Sequence, residues 1–85
     1  MVASRRDRLL EQVLAGDAVL SFRDLGFLLR SLGVSLARVS GSHHIYVHPR
    51  ATRPINVQKL GKDAKPYQLR QLRSIVLEFG LRFDE

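Results

Sequence analysis

All three imidazoles of the chain fall within six residues: His43, His44 and His48, in the stretch GSHHIYVHPR at positions 41 to 50. Imidazole can ligate a metal, move protons near neutral pH, or serve as a polar side chain on a strand. The intervening Ile45, Tyr46 and Val47 are β-branched or aromatic, which predicts a strand. Side chains alternate across a strand, so His43, Ile45 and Val47 share one face and His44, Tyr46 and His48 the other. The adjacent pair therefore points apart and cannot easily act on one atom. His44 and His48 share a face but lie about 13 Å apart along it, too far to ligate one ion. Tyrosine is a poor zinc ligand, and no second cluster of Asp, Glu or His exists to complete a site. Neither a metal nor a cofactor is expected.

Proton transfer is the other chemistry within reach. Cleaving RNA without a metal needs a base for the ribose 2′-OH, an acid for the leaving 5′-oxygen, and cations for the phosphorane charge. One histidine among several arginines supplies most of that set. The competing reading is that these imidazoles are structural or surface residues of a strand. Ser42 reads as a turn residue, since no His/Asp pair is placed to make it a nucleophile. Gly41 supplies the tight turn and permits close approach of a phosphate.

The elements that must position this strand are marked by caps and breakers. SRRDRLLEQVLAG, residues 4 to 16, opens on Ser4 as a helix cap and closes on Gly16, with Leu9, Leu10, Val13 and Leu14 on one face. It reads as a short helix peripheral to the fold. SFRDLGFLLRSLGV begins with Ser21 and Asp24 at capping-box spacing, carries a stripe of Phe22, Leu25, Leu28, Leu29 and Leu32, and stops at Gly33. Three short strands follow: VSLARVSG, then SHHIYVHP across a turn at Ser40-Gly41-Ser42, then RPINVQ with Pro54 at its start. KLGKDAK reads as a basic loop. Pro66 opens a last helix whose stripe is Leu69, Leu72, Ile75, Val76 and Phe79 and whose end is Gly80.

Consecutive strands joined by short loops pair antiparallel, and the amphipathic helices must cover one face of the sheet. The expectation is an α+β fold, α-β-β-β-α with a three-stranded antiparallel sheet, similar in outline to double-stranded-RNA-binding domains. Residues 1–19 are expected to form an N-terminal helical extension and residues 20–85 the domain proper.

Composition narrows the partner. The chain has 85 residues and a net charge of +6 from 14 basic and 8 acidic side chains. Eleven of those 22 charged side chains are arginine. A guanidinium forks onto phosphate as an ammonium cannot, which favours nucleic acid over a generic acidic partner. Cysteine is absent, so disulfides and thiolate zinc sites are excluded. There is no run of about 18 apolar residues to cross a membrane and no apolar signal core. A soluble cytoplasmic protein is expected.

The stretch LGFLLRSLGVSLARVSGSHHIYVHP, followed by LRSIVLEFGL, resembles the HicA family of bacterial type II toxins. The pieces that carry the likeness are Gly33, Arg38, Gly41-Ser42-His43-His44-Ile45-Tyr46, His48-Pro49, Leu72-Arg73-Ser74-Ile75 and Gly80-Leu81. The likeness covers residues 20 to 81. It implies a double-stranded-RNA-binding-like fold, ribosome-independent cleavage of single-stranded mRNA, and inhibition by a HicB-type antitoxin protein. The family's catalytic histidine lies in the Gly-Ser-His segment and carries over to His43, with His44 as runner-up. An inward Tyr46 would place His44 on the core side and leave His43 on the open face, which favours His43. Arg38, Gly41, Ser42, Lys65, Arg70 and Arg73 are the expected RNA contacts. Lys65 stands at the start of the last helix, where orphan N–H groups favour an anion.

The chain departs from the family in its extra N-terminal segment, its longer loop QKLGKDAKPYQ, and the lack of an evident second catalytic acid. Lys65, Tyr67 or a water are the options for that acid. Two other functions remain compatible with the residues: a non-catalytic RNA-binding module, which needs only shape and phosphate contacts, and a protein-interaction domain that meets an acidic partner through its positive surface.

Overall fold

The computed structural model describes residues 4–83; residues 1–3 of the N-terminal extension lie outside the described residues. Helix α1, Arg5–Ala15, starts where the sequence marks it. Ser4 Oγ accepts the Asp7 N–H at 3.2 Å and the Asp7 carboxylate accepts the Ser4 N–H at 3.3 Å, a complete capping box. Gly16 ends the helix at φ 94°, where a side chain would be strained. Helix α2, Phe22–Ser31, is capped by Ser21, whose Oγ accepts the Asp24 N–H at 3.1 Å. The Asp24 carboxylate does not close the box but pairs with Arg5 of α1. At the other end Gly33 N–H donates to the Arg30 carbonyl and Val34 N–H to the Leu29 carbonyl, the two bonds of a Schellman stop. Helix α3, Pro66–Phe79, has Pro66 in its first turn and Gly80, at φ 63°, beyond its end.

Strands β2 (Ser35–Ser40), β3 (His43–Val47) and β4 (Ile55–Gln58) form one antiparallel sheet in the order β2-β3-β4. A bulge at Ala37 shifts the β2–β3 register between Leu36 opposite Tyr46 and Arg38 opposite Ile45. The two-residue turn at Gly41-Ser42 has positive φ at its first position only, which is the type II′ arrangement that matches strand twist.

Two features differ from the sequence expectation. The loop before α3 carries a two-residue strand, β5 (Asp63–Ala64), paired with β1 (Leu20–Ser21), so residues on either side of α2 are tied together. And α1 is not peripheral. Val13 is fully buried and Leu9 nearly so, in one core with Leu28, Leu29, Ile55, Leu72 and Ile75. The helices cover the sheet on one face, chiefly at β4, whose alternate residues Ile55 and Val57 are buried while Asn56 is exposed. Much of each apolar stripe meets another helix instead, so β2 is exposed along its whole length. Among the described residues no helix is long and apolar enough to cross a membrane.

Candidate active site

His43 opens β3 opposite Gln58 of β4. Residues directly opposite in an antiparallel pair share a face, and by alternation Asn56 and Ile45 lie on that face too. The buried Ile55 and Val57 stand opposite Tyr46 and His44, so those two side chains turn toward the helices. His43 is accordingly exposed and His44 half-buried, as the alternation argument requires.

One nitrogen of His43 is accounted for. Its Nδ1 lies 3.3 Å from Asn56 Oδ1. An amide oxygen only accepts, so Nδ1 is the donor in this contact, and in the neutral ring the lone pair is on Nε2. His43, Asn56 and Gln58 form one wall of a cleft of about 290 Å³, and Tyr67, Gln68 and Gln71 on the first two turns of α3 form the other. Gln68 holds the walls together. It is buried, and its Nε2 donates to the Gln58 carbonyl at 2.9 Å and to the Tyr67 hydroxyl at 3.2 Å. Its Oε1 is buried without a partner. Because the Tyr67 oxygen accepts from Gln68, its own proton is directed elsewhere and is free to be donated. Tyr67 is 57 % exposed, so its hydroxyl is reachable from solvent.

The remaining expected residues are dispersed. Arg38, exposed on β2, stands opposite Ile45 and so belongs to the face that carries His43. Gly41 and Ser42 form the turn beside His43, and the Ser42 carbonyl accepts the Lys59 N–H at 2.7 Å, tying the hairpin tip to the end of β4. Space around Gly41 is open: a Cβ there would meet nothing within 4 Å. Lys65 is the exposed N-cap of α3 and makes no side-chain cap bond. Arg70 and Arg73 are on another side of α3. Arg70 donates to the Gly16 carbonyl at 3.3 Å, and an Arg73 nitrogen lies 3.5 Å from where a Cβ on Gly16 would sit. Both guanidiniums thus meet the carboxyl end of α1, where the helix dipole favours a cation. Neither lines the His43 cleft.

Asn56, Gln68 and Gln71 had no signal as site residues. Asn56 alternates with two apolar neighbours in INVQ, which gives its face but not its partner. Gln68 stands at a buried helix position that apolar periodicity does not include.

A family model described as the HicA toxin of bacterial toxin–antitoxin systems matches residues 22–78, about two thirds of the chain. That span holds every residue of the His43 cleft and excludes α1. No curated relative and no solved structure matches the chain.

Proposed function

The chain belongs to the HicA toxin family of bacterial toxin–antitoxin systems, and on that premise we propose that it is a cytoplasmic mRNA endoribonuclease in which His43 is the general base. His43 Nε2 takes the proton of a ribose 2′-OH. The 2′-oxygen then attacks the adjacent phosphorus, and the bond from phosphorus to the 5′-oxygen breaks. Tyr67 gives its proton to that leaving oxygen, so the products are a 2′,3′-cyclic phosphate and a free 5′-hydroxyl. The route runs on general acid–base catalysis and requires no metal. Arg38, on the same sheet face, and Lys65, two residues before Tyr67, are the cations assigned to the reacting phosphate.

The observation that carries this reading is the Asn56 contact on Nδ1, with no partner for Nε2 of this exposed ring among the described residues, beside a cleft that also holds a phenol. Tyr67 is favoured over Lys65 as the acid because it lines that cleft and Lys65 does not. Replacing His43 by Ala in the purified chain should lower cleavage of a single-stranded mRNA by about 10²–10⁴-fold, the usual worth of a positioned base. A folded His43→Ala protein that cuts at the original rate would sink the assignment and turn attention to His44.

One observation favours a second reading. No arginine or lysine lines the His43 cleft, which suits a non-catalytic RNA-binding module of the same fold. Appearance of cyclic-phosphate ends separates the two. The partner in either case is an antitoxin, and we assign a HicB-type protein that covers the open face of β2–β3–β4.

A further inference from the structure

A second cleft, of about 770 Å³, lies at the far end of β3 from His43. Its walls come from four places: Arg6 of α1, Gly33 after α2, the turn His48-Pro49-Arg50 after β3, and Arg82 with Phe83 beyond α3. The turn is set by two bonds. Ala51 N–H donates to the His48 carbonyl at 3.1 Å and Arg50 N–H to His48 Nδ1 at 3.0 Å. With Nδ1 accepting, the ring proton of His48 is on Nε2, a donor available to a ligand. Arg6 lies over the Phe83 ring, 4.6 Å from its centroid, and that ring packs against the edge of the core. Among the described residues no carboxylate lines the cleft and none pairs with Arg50 or Arg82.

We propose that this cleft is a second phosphate-binding site, which holds single-stranded RNA at a distance from the bond being cut. The proposal rests on reading the chain as an RNA-acting toxin. Guanidiniums bind phosphate in a forked geometry. His43 and His48 are five residues apart, about 16 Å along an extended strand. At a stacked rise of about 3.4 Å per nucleotide, roughly five nucleotides bridge that span. Such an anchor supplies what the His43 cleft lacks: positive charge in its own wall. The strand is gripped at Arg50 and Arg82, and the neutral cleft is left to do the proton transfers.

The test is binding, read apart from cleavage. A fluorescent 2′-O-methyl RNA of about twelve nucleotides, long enough to span both clefts, has no nucleophile and so stays intact. Its affinity is measured by anisotropy against salt for the wild type, for Arg50→Ala with Arg82→Ala, and for the charge-matched pair Arg23→Ala with Arg30→Ala. Loss of two phosphate contacts should flatten the salt slope by about 1.4 and weaken binding about 10–30-fold near 0.1 M salt. The control pair should show a much smaller change. Equal effects in the two pairs would overturn the proposal. So would unchanged RNA affinity together with weakened binding of the antitoxin, which would make the cleft a protein site. Both arginines are exposed, and a thermal melt checks the fold. If the alanines lower it, Arg50→Gln with Arg82→Gln carries the same comparison. Cleavage by a His43→Ala protein would sink the catalytic assignment without touching this result.

Discussion

In the proposed mechanism His43 acts as a base through the group that holds its other nitrogen. For His43 that group is a neutral amide, and two substitutions of Asn56 separate positioning from packing. In Asn56→Ala the ring loses its acceptor and is free to turn or to change tautomer. Cleavage should fall about tenfold or more, by analogy with other partners that orient a functional histidine, while RNA affinity stays close to wild type. Asn56→Asp keeps the acceptor but adds a negative charge. A neighbouring carboxylate favours the imidazolium, so the acid limb of the pH–rate profile should move to higher pH and the rate at neutral pH should drop. A profile that does not move in Asn56→Asp would mean that the titrating base is another group. The exposed face of His43 was legible from strand alternation. Its partner was not, because alternation gives the face of Asn56 but not the register of β4 against β3. Gln68 was hidden for a different reason: a polar side chain at a buried helix position looks like a break in the stripe until its hydrogen bonds are seen.

Helix ends and turns obey short-range rules, so the elements were the most readable level. Ser4, Gly16, Ser21, Gly33, Pro66 and Gly80 all mark real boundaries, since each acts within a turn of its own position. The pairing of β1 with β5 was not readable, because two residues carry no periodicity and their partners are more than 40 positions apart. Gly41 shows what a local rule is worth. Its φ is 58° and its surroundings are open, so substitution there is a matter of backbone conformation alone. Gly41→Ala should lower stability by about 1–2 kcal/mol in urea unfolding. Gly41→Asn should cost less, since Asn is among the side-chain residues that most readily take a positive φ. Between helices, Arg5 donates to the Asp24 carboxylate and lies over the Phe27 ring, 4.2 Å from its centroid. The Arg5 hydrogen bond, helped by its charge, by Ser21 and by Arg23, holds the Asp24 carboxyl below the usual carboxylate range. A carboxylate depressed in the folded state adds stability above its unfolded pKa and loses it as pH falls through the folded one. In Arg5→Ala the Asp24 titration followed by NMR should therefore shift to higher pH, and the variant should be less stable than wild type near neutrality but converge on it in acid.

At the scale of the whole molecule, α1 decides whether this is a small domain with an appendage or one larger unit. Periodicity showed that Leu9, Leu10, Val13 and Leu14 share a face, but a stripe does not say what it packs against, and a helix before the main fold reads as peripheral by default. The structure fits α1 against α2 and α3, with Val13 wholly enclosed. It also brings Arg70 and Arg73 to the end of α1, so the segment outside the family match organises charged residues inside it. A chain of this length has little core to spare. Trimming Val13 to Ala removes two buried methyl groups at about 0.8 kcal/mol each and leaves a cavity, for a loss of roughly 2 kcal/mol. For a domain this small that is a fall in Tm of about 8–16 °C. Val19→Ala, at a position 52 % exposed, should stay within about 0.5 kcal/mol of wild type. If α1 were an appendage, Val13→Ala would behave like Val19→Ala, and removal of residues 1–16 would leave the unfolding transition intact. With α1 in the core, that deletion exposes the apolar faces of α2 and α3 together, and the shortened chain should lose its cooperative melt.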